Sequence, residues 1–373
     1  MNGLRSFASD NYAGVHPVVW EALREADADH ARAYGDDPIT ERLQAVVAEQ
    51  FGEQAFAVPV FNGTGANVVA LQSLLPPWGS VICSQNAHIL WDEGGAPERV
   101  GRTSLRALPT ADAKLTPEII APALTGFGFV HAVQPSVVEI AQATELGTVY
   151  SPDEVRALTD AAHAAGLSVY MDGARLSNAA ASLGVSLRAF TTDAGVDVVS
   201  YGATKNGGMA AEAVVVLNPE AIVNAHLITG RDLPEGDAAP SAERAAMALG
   251  YLRKSSMQLA SKQRYVAAQL LALLEQDRGV EIAGQANAMA AELAERVAQV
   301  PGITVVHPPQ VNMVFAQVEP HVADAVRTRY PFYDWDPAAR LVRWMTSWDT
   351  TQADLDGFVA ALREATGAPS PAQ

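Results

Sequence analysis

Two residues in this chain combine the type and setting for carbonyl–amine chemistry: Asp172 in YMDGAR and, thirty-three residues later, Lys205 in YGATKNGG. Asp172 follows an apolar run over 167 to 171 that reads as a strand, and strand ends are where open α/β sheets place ligand-binding groups. Lys205 follows a second such run, 196 to 200, and stands among small residues that let it approach a ring closely. A lysine that binds a carbonyl covalently, with an acid that keeps a pyridine nitrogen protonated, is the pair that holds pyridoxal phosphate (PLP). Taken singly, a helix-capping aspartate and a solvated lysine are the simpler readings. The pair, each behind a strand end, favours the cofactor.

The third element is FNGTGAN, 61 to 67, where glycines follow a candidate strand and open a helix carrying Val68, Val69, Leu71 and Leu74. Backbone N–H groups at such a start can hold a phosphate, with the Thr204 hydroxyl added. Alone this signal is weak, because any tight strand-to-helix turn uses glycine. It lacks the last glycine of a dinucleotide fingerprint and the lysine of a P-loop, which argues against a nucleotide.

These groups need a sheet to carry them. Candidate strands are 56–60, 80–84, 127–131, 137–141, 167–171, 196–200 and 212–217, several of them continuously apolar as strands covered on both faces are. Helices alternate with them, so the expected fold is α/β with a mostly parallel seven-stranded sheet between helices and a smaller C-terminal α/β domain. One helix is well marked, with Ser151 as cap, Pro152 first, Glu154 completing a capping box and Gly166 ending it. Val155, Leu158, Ala162 and Ala165 should face the sheet. Another starts at Asp37-Pro38, carries Ile39, Leu43, Val46 and Val47, and leaves Tyr34 in the preceding loop. The turn-rich stretch 229–241 reads as an exposed insertion. The expected division is 1–280, an N-terminal segment with the large domain, and 281–373, the small domain, with GAPSPAQ frayed at the end.

Composition narrows the classes. Hydrophobic residues make up 49% and charged residues 18%, as in an ordinary soluble protein of 373 residues. The formal net charge of -17 is spread along the chain and makes nucleic acid an unsuitable partner. Neither a secretory leader nor a membrane span is visible, so the cytoplasm is the expected address. Cys83, the single cysteine, sits in the apolar run SVICS and reads as a buried structural thiol.

In sequence order, FASDN, AYGDDP, FNGTGAN, AHILWDEGGAP, QATELGTVYSP, YMDGAR, TKNG and MTSWDT resemble the low-specificity L-threonine aldolases, β-eliminating lyases of the aspartate aminotransferase-like, fold type I PLP enzymes. The resemblance implies cleavage of L-threonine, L-allo-threonine or phenylserine to glycine and an aldehyde, reversibly. It implies Lys205 as Schiff-base lysine, Asp172 as partner of the pyridine nitrogen, and Gly63 with Thr64 as phosphate cradle. His88 would stack on the cofactor ring, and His88, Asp92 and His131 would surround the β-hydroxyl, with either histidine as base. Arg175, Arg343 and Ser9 would bind the substrate carboxylate. Tyr34 would enter the neighbouring subunit of a homodimer, which in this family often pairs into a homotetramer. A basic residue should meet the neighbour's phosphate, and among Arg253, Lys254 and Lys262 the spacing favours Lys262. No zinc-type spacing is present, so no metal is expected. The rivals are β-elimination, transamination or racemisation on the same cofactor, and a noncatalytic scaffold of the same fold.

Overall fold

Runs of Val, Ile and Ala punctuated by glycine fold into a seven-stranded sheet in the computed structural model, which describes residues 4–233 and 239–368. The strands are β1 Phe56–Val60, β2 Gly79–Ser84, β3 Ser104–Leu108, β4 Gln134–Ala141, β5 Ser168–Asp172, β6 Val198–Gly202 and β7 Glu212–Val216. Their order is β1-β7-β6-β5-β4-β2-β3, and only β7 runs antiparallel to its neighbours. Apolar clusters cover both faces, which is why these strands read as unbroken hydrophobic runs.

Two local expectations fail. FGFVH at 127–131 is not a strand; it is an exposed loop in which Gly126 and Gly128 take positive φ, a conformation no β-ladder uses. The strand that the sequence did not offer is β3, SLRAL, at the sheet edge, where Arg106 spends its charge on the Ala123 carbonyl at 2.7 Å. Within the supposed exposed insertion, Leu233 and Ala239 are buried against the second face of the sheet. The middle of that insertion, 234–238, and the last five residues of GAPSPAQ lie outside the described residues.

The marked helices form as their caps dictate. The helix Pro152–Ala164 starts at a complete Ser151/Glu154 capping box, and the helix Pro38–Phe51 starts where the Asp37 carboxylate accepts two backbone N–H groups. Each cap satisfies donors that would otherwise be orphaned, worth about 1 kcal/mol.

A second, four-stranded antiparallel sheet, ordered β10-β11-β9-β8, comprises β8 Thr304–Val305, β9 Met313–Gln317, β10 Tyr333–Asp336 and β11 Leu341–Met345. It packs against the helices Arg278–Val297 and Gln352–Thr366 around Trp344 and Phe358. The first of these helices begins just before the boundary proposed at 280. The N-terminal segment joins this second unit as well: Phe7 is buried in its core, donates its N–H to the Pro331 carbonyl and accepts the Met345 N–H. No helix among the described residues is long and apolar enough to cross a membrane.

Candidate active site

The parallel strands deliver their C-terminal ends to one edge of the large sheet. There FNGTG follows β1, Glu145 follows β4 and Asp172 closes β5. Lys205 follows β6 and Glu212 opens the reversed β7. Register puts Val60 and Gly202 opposite Glu212, and Ala141 opposite Asp172. The turn after β5 demands glycine, because a Cβ on Gly173 would lie 1.9 Å from the Ser200 carbonyl oxygen. That close approach brings the loops carrying Asp172 and Lys205 together.

Asp172 is buried and aimed by two donors, the Ala174 N–H at 2.9 Å and the Asn67 amide at 3.0 Å. Asn67 also reaches Glu93 at 2.6 Å and accepts from the Tyr170 hydroxyl at 2.5 Å, so a buried polar chain fixes the aspartate from behind. Burial lowers the Lys205 ammonium, and the nearby Arg175 adds to the effect; Asp10, Asp172 and Glu212 oppose it. A lysine so placed is neutral, and therefore nucleophilic, at lower pH than a surface lysine. Burial pushes Glu212 up to about 7 against the pull of Thr204 and Lys205. Thr204 accepts the Ala211 N–H at 3.2 Å.

The helix Gly63–Leu74 begins beside this group, capped by the Asn62 side chain on the Gly65 N–H at 2.7 Å. The first amides of a helix, here those of Gly63 and Thr64, have no helical acceptor. Around Gly63 there is open space, with nothing within 4 Å of an added Cβ. An amine of lowered pKa, an aimed carboxylate and an open helix start fit PLP.

Arg175 is locked by Asp10 through two bonds of 2.7 and 2.9 Å, and Asn312 holds the same carboxylate at 3.1 Å. Burial works to raise the Asp10 carboxyl, but the guanidinium outweighs it and keeps Asp10 below its usual range. Arg343 has no carboxylate partner among the described residues; its Nε is buried without an acceptor and its guanidinium lies 4.8 Å from the Trp335 ring. Burial, then Arg175, push it down to about 10. An unpaired, largely desolvated cation beside a fixed one suits an incoming carboxylate. Ser9, adjacent to Asp10, caps a short turn by accepting the Asn11 N–H at 3.2 Å.

His88 stands in the site, but its partner is Glu93, at 2.9 Å from Nδ1. That bond raises the imidazole pKa, with burial opposing it, so His88 keeps its proton to higher pH than a free histidine. The Asp92 side chain is not hydrogen-bonded to the His88 ring; the Asp92 backbone N–H donates to the His88 carbonyl at 3.0 Å, which makes Asp92 the exposed C-cap of the single helical turn His88–Trp91, close enough to Arg343 to favour its charge. His131 is not brought into the site. It lies on the exposed 126–133 loop before β4, at the edge opposite Asp172, against Phe129. Tyr34 is exposed beneath the Lys254 ammonium, Lys262 is exposed, and Arg253 reaches back to the Pro59 carbonyl at 3.3 Å.

Sequence reasoning missed Asp10, Glu93, Glu139, Glu145 and Glu212. The available signal was a lone acid inside an apolar run, as in VVEIA and AEAVVV. Glu139 is fully buried in β4 with Oε1 unpartnered, and burial, reinforced by Glu145, Asp172 and Glu93, raises its carboxyl well above the usual range. Folding must therefore protonate it, so its contribution to stability falls as pH rises above the unfolded value of 4.5. Glu139→Gln should raise Tm at pH 8 by on the order of 3–6 °C and leave it unchanged below pH 4.5. Equal melting shifts at both pH values, read by scanning calorimetry, would contradict this account.

The beta-eliminating lyase family model matches residues 6–320. The chain belongs to this family. It is 40% identical over 348 residues to a low specificity L-threonine aldolase of Pseudomonas aeruginosa, covering 93% of each. Among solved structures, the threonine aldolase of Leishmania major superposes with a TM-score of 0.84 at 26% identity, covering 96% of this chain and 99% of that one. An aspartate aminotransferase double mutant of Thermus thermophilus, at 15% identity and TM-score 0.66 over 97% and 91%, shares the fold. This beta-eliminating lyase is thus a PLP-dependent fold type I enzyme, as its motifs implied.

Proposed function

We infer that this enzyme cleaves the Cα–Cβ bond of β-hydroxy-α-amino acids, with L-threonine, L-allo-threonine and phenylserine as substrates, giving glycine and an aldehyde reversibly. The observation that carries the reading is Arg343, a half-buried cation without a carboxylate partner among the described residues, set beside Arg175 at the edge that holds Lys205 and Asp172. That arrangement suits a free α-amino acid, and the aldolase relatives supply the class of bond.

When bound, PLP supplies an electron sink for the α-carbon of an attached amino acid. The chain does the rest. Lys205 holds the cofactor, Asp172 keeps its ring nitrogen protonated, and the Gly63 and Thr64 amides with the Thr204 hydroxyl hold its phosphate. Arg175, Arg343 and Ser9 would hold the carboxylate, and so fix the orientation of the bonds at the substrate's α-carbon. His88 packs on the ring. Asp92 stands at the mouth. Tyr34 completes the site of a partner subunit, making a homodimer the minimum unit and a homotetramer its pairing; a basic residue near 253–262, Lys262 by spacing, meets the partner's phosphate. The address is cytoplasmic.

The test is product analysis with L-threonine. Equal amounts of acetaldehyde and glycine are expected. A keto acid with ammonia, or a changed enantiomer, would assign the site to elimination or racemisation instead.

A further inference from the structure

Beyond the end of β4 the chain turns sharply at Thr144–Gly147, closed by the Gly147 N–H on the Thr144 carbonyl at 2.9 Å and by the Thr144 and Thr148 hydroxyls at 2.7 Å. Gly147 takes φ +72°, which favours glycine. Glu145 occupies this turn, half-buried, and its Oε1 accepts the His88 backbone N–H at 3.0 Å. Its own backbone N–H also reaches the carboxylate, and no side chain among the described residues is hydrogen-bonded to it, so the carboxylate keeps lone pairs for a further donor. Of the other acids at this edge, Asp172 is engaged by Ala174 and Asn67, Glu93 by Asn67 and His88 through Oε1 with Oε2 buried away from solvent, and Glu212 by the Thr204 and Lys205 side, while Asp92 is an exposed helix cap.

We propose that Glu145 is the base that accepts the substrate's β-hydroxyl proton as the Cα–Cβ bond breaks, and that His88 is a positioning residue for it. The proposal rests on the aldol reading above. The O–H bond breaks and its proton goes to the Glu145 carboxylate, while the O–H electron pair becomes the second bond of the aldehyde carbonyl. The Cα–Cβ pair passes to the α-carbon side, a proton then adds there to give glycine, and Glu145 returns its own proton to water. No oxidant or further reactant is needed.

The two histidines are poorer acceptors. His131 is at the far edge, and the Glu93 bond raises the His88 imidazole, so at a given pH less of it is free to take a proton than of an ordinary histidine. Burial brings Glu145 up to about 7, Asp172 pushes the same way, and the N–H bonds and His88 oppose it. The other groups that feel its charge are Glu139 on β4, Cys83 on β2 and Tyr150 after the turn. A base near neutrality is strong enough to take the proton yet ionised often enough to act.

Removal of the α-proton of glycine needs no acceptor for a β-hydroxyl, which separates this role from a general structural one. In the PLP-loaded enzyme, Glu145→Gln should lower kcat/KM for L-threonine by about 10²–10⁴-fold, while glycine affinity and glycine α-proton exchange in heavy water stay within about threefold. The acidic limb of the pH profile near 7 should vanish with it and persist, shifted, in Glu145→Asp. Cleavage by the Gln variant at nearly the wild-type rate overturns the proposal, as does an equal loss of cleavage, glycine binding and exchange. If the Gln variant does not fold, the Asp variant decides: a moved limb supports the role and an unmoved one removes it. Wild-type enzyme that exchanges glycine but releases no aldehyde from any of the three substrates overturns the aldol reading, and this proposal with it.

Discussion

Lys205→Ala should abolish the visible absorbance of covalently held PLP and reduce threonine cleavage by roughly 10⁴-fold or more, because no other amine replaces the lost nitrogen. The same change should leave the fold intact. Lys205 is a mostly buried amine whose charge is opposed by burial and by Arg175, so its removal relieves an unfavourable charge. We therefore expect Tm of the cofactor-free variant to equal or exceed that of cofactor-free wild type. Retained covalent absorbance would mean that another residue holds the cofactor, and an unfolded variant would mean that Lys205 is structural.

Arg343→Ala should raise KM for L-threonine by about 30- to 1000-fold, the cost of truncating one partner of a buried charge pair. Arg343→Lys should recover only part of this, since an ammonium can neither lie flat on Trp335 nor grip a carboxylate with two parallel bonds. Isolated from substrate, Arg343 has a buried Nε with no acceptor, which predicts that the alanine variant is no less stable than wild type. A variant with normal KM would assign the carboxylate to Arg175 alone. One with normal KM and a lowered Tm would make Arg343 a packing residue.

The large sheet was legible because doubly covered strands write themselves as apolar runs, and β1, β2, β5, β6 and β7 lie within two residues of where the sequence places them. The same rule misled at 127–131, where the apolar residues are exposed and the two positive-φ glycines were the better guide. Strand β3 escaped because its interior Arg106 breaks the pattern, a charge that an edge position tolerates. In the site, residues named by motif reached one edge because a parallel sheet presents every strand end there. Residues named by spacing fared worse: Asp92 was offered on a helix that lasts one turn, and its neighbour Glu93 takes the contact. The buried acids were invisible for another reason. A lone Glu in a strand is equally consistent with an exposed edge, and only the fold shows that Glu139 and Glu212 are enclosed.

The N-terminal segment has a consequence for how the enzyme is made. Asp10, which locks Arg175, is itself held by Asn312, and Phe7 accepts its bond from Met345, next but one to Arg343. Ribosomes produce the first of these residues long before the last of them. A nascent chain can assemble much of its large sheet, since domains fold as they emerge. It cannot close the carboxylate pocket until β9 and β11 have left the exit tunnel, so a partly made chain has no complete site for free amino acids in the cell.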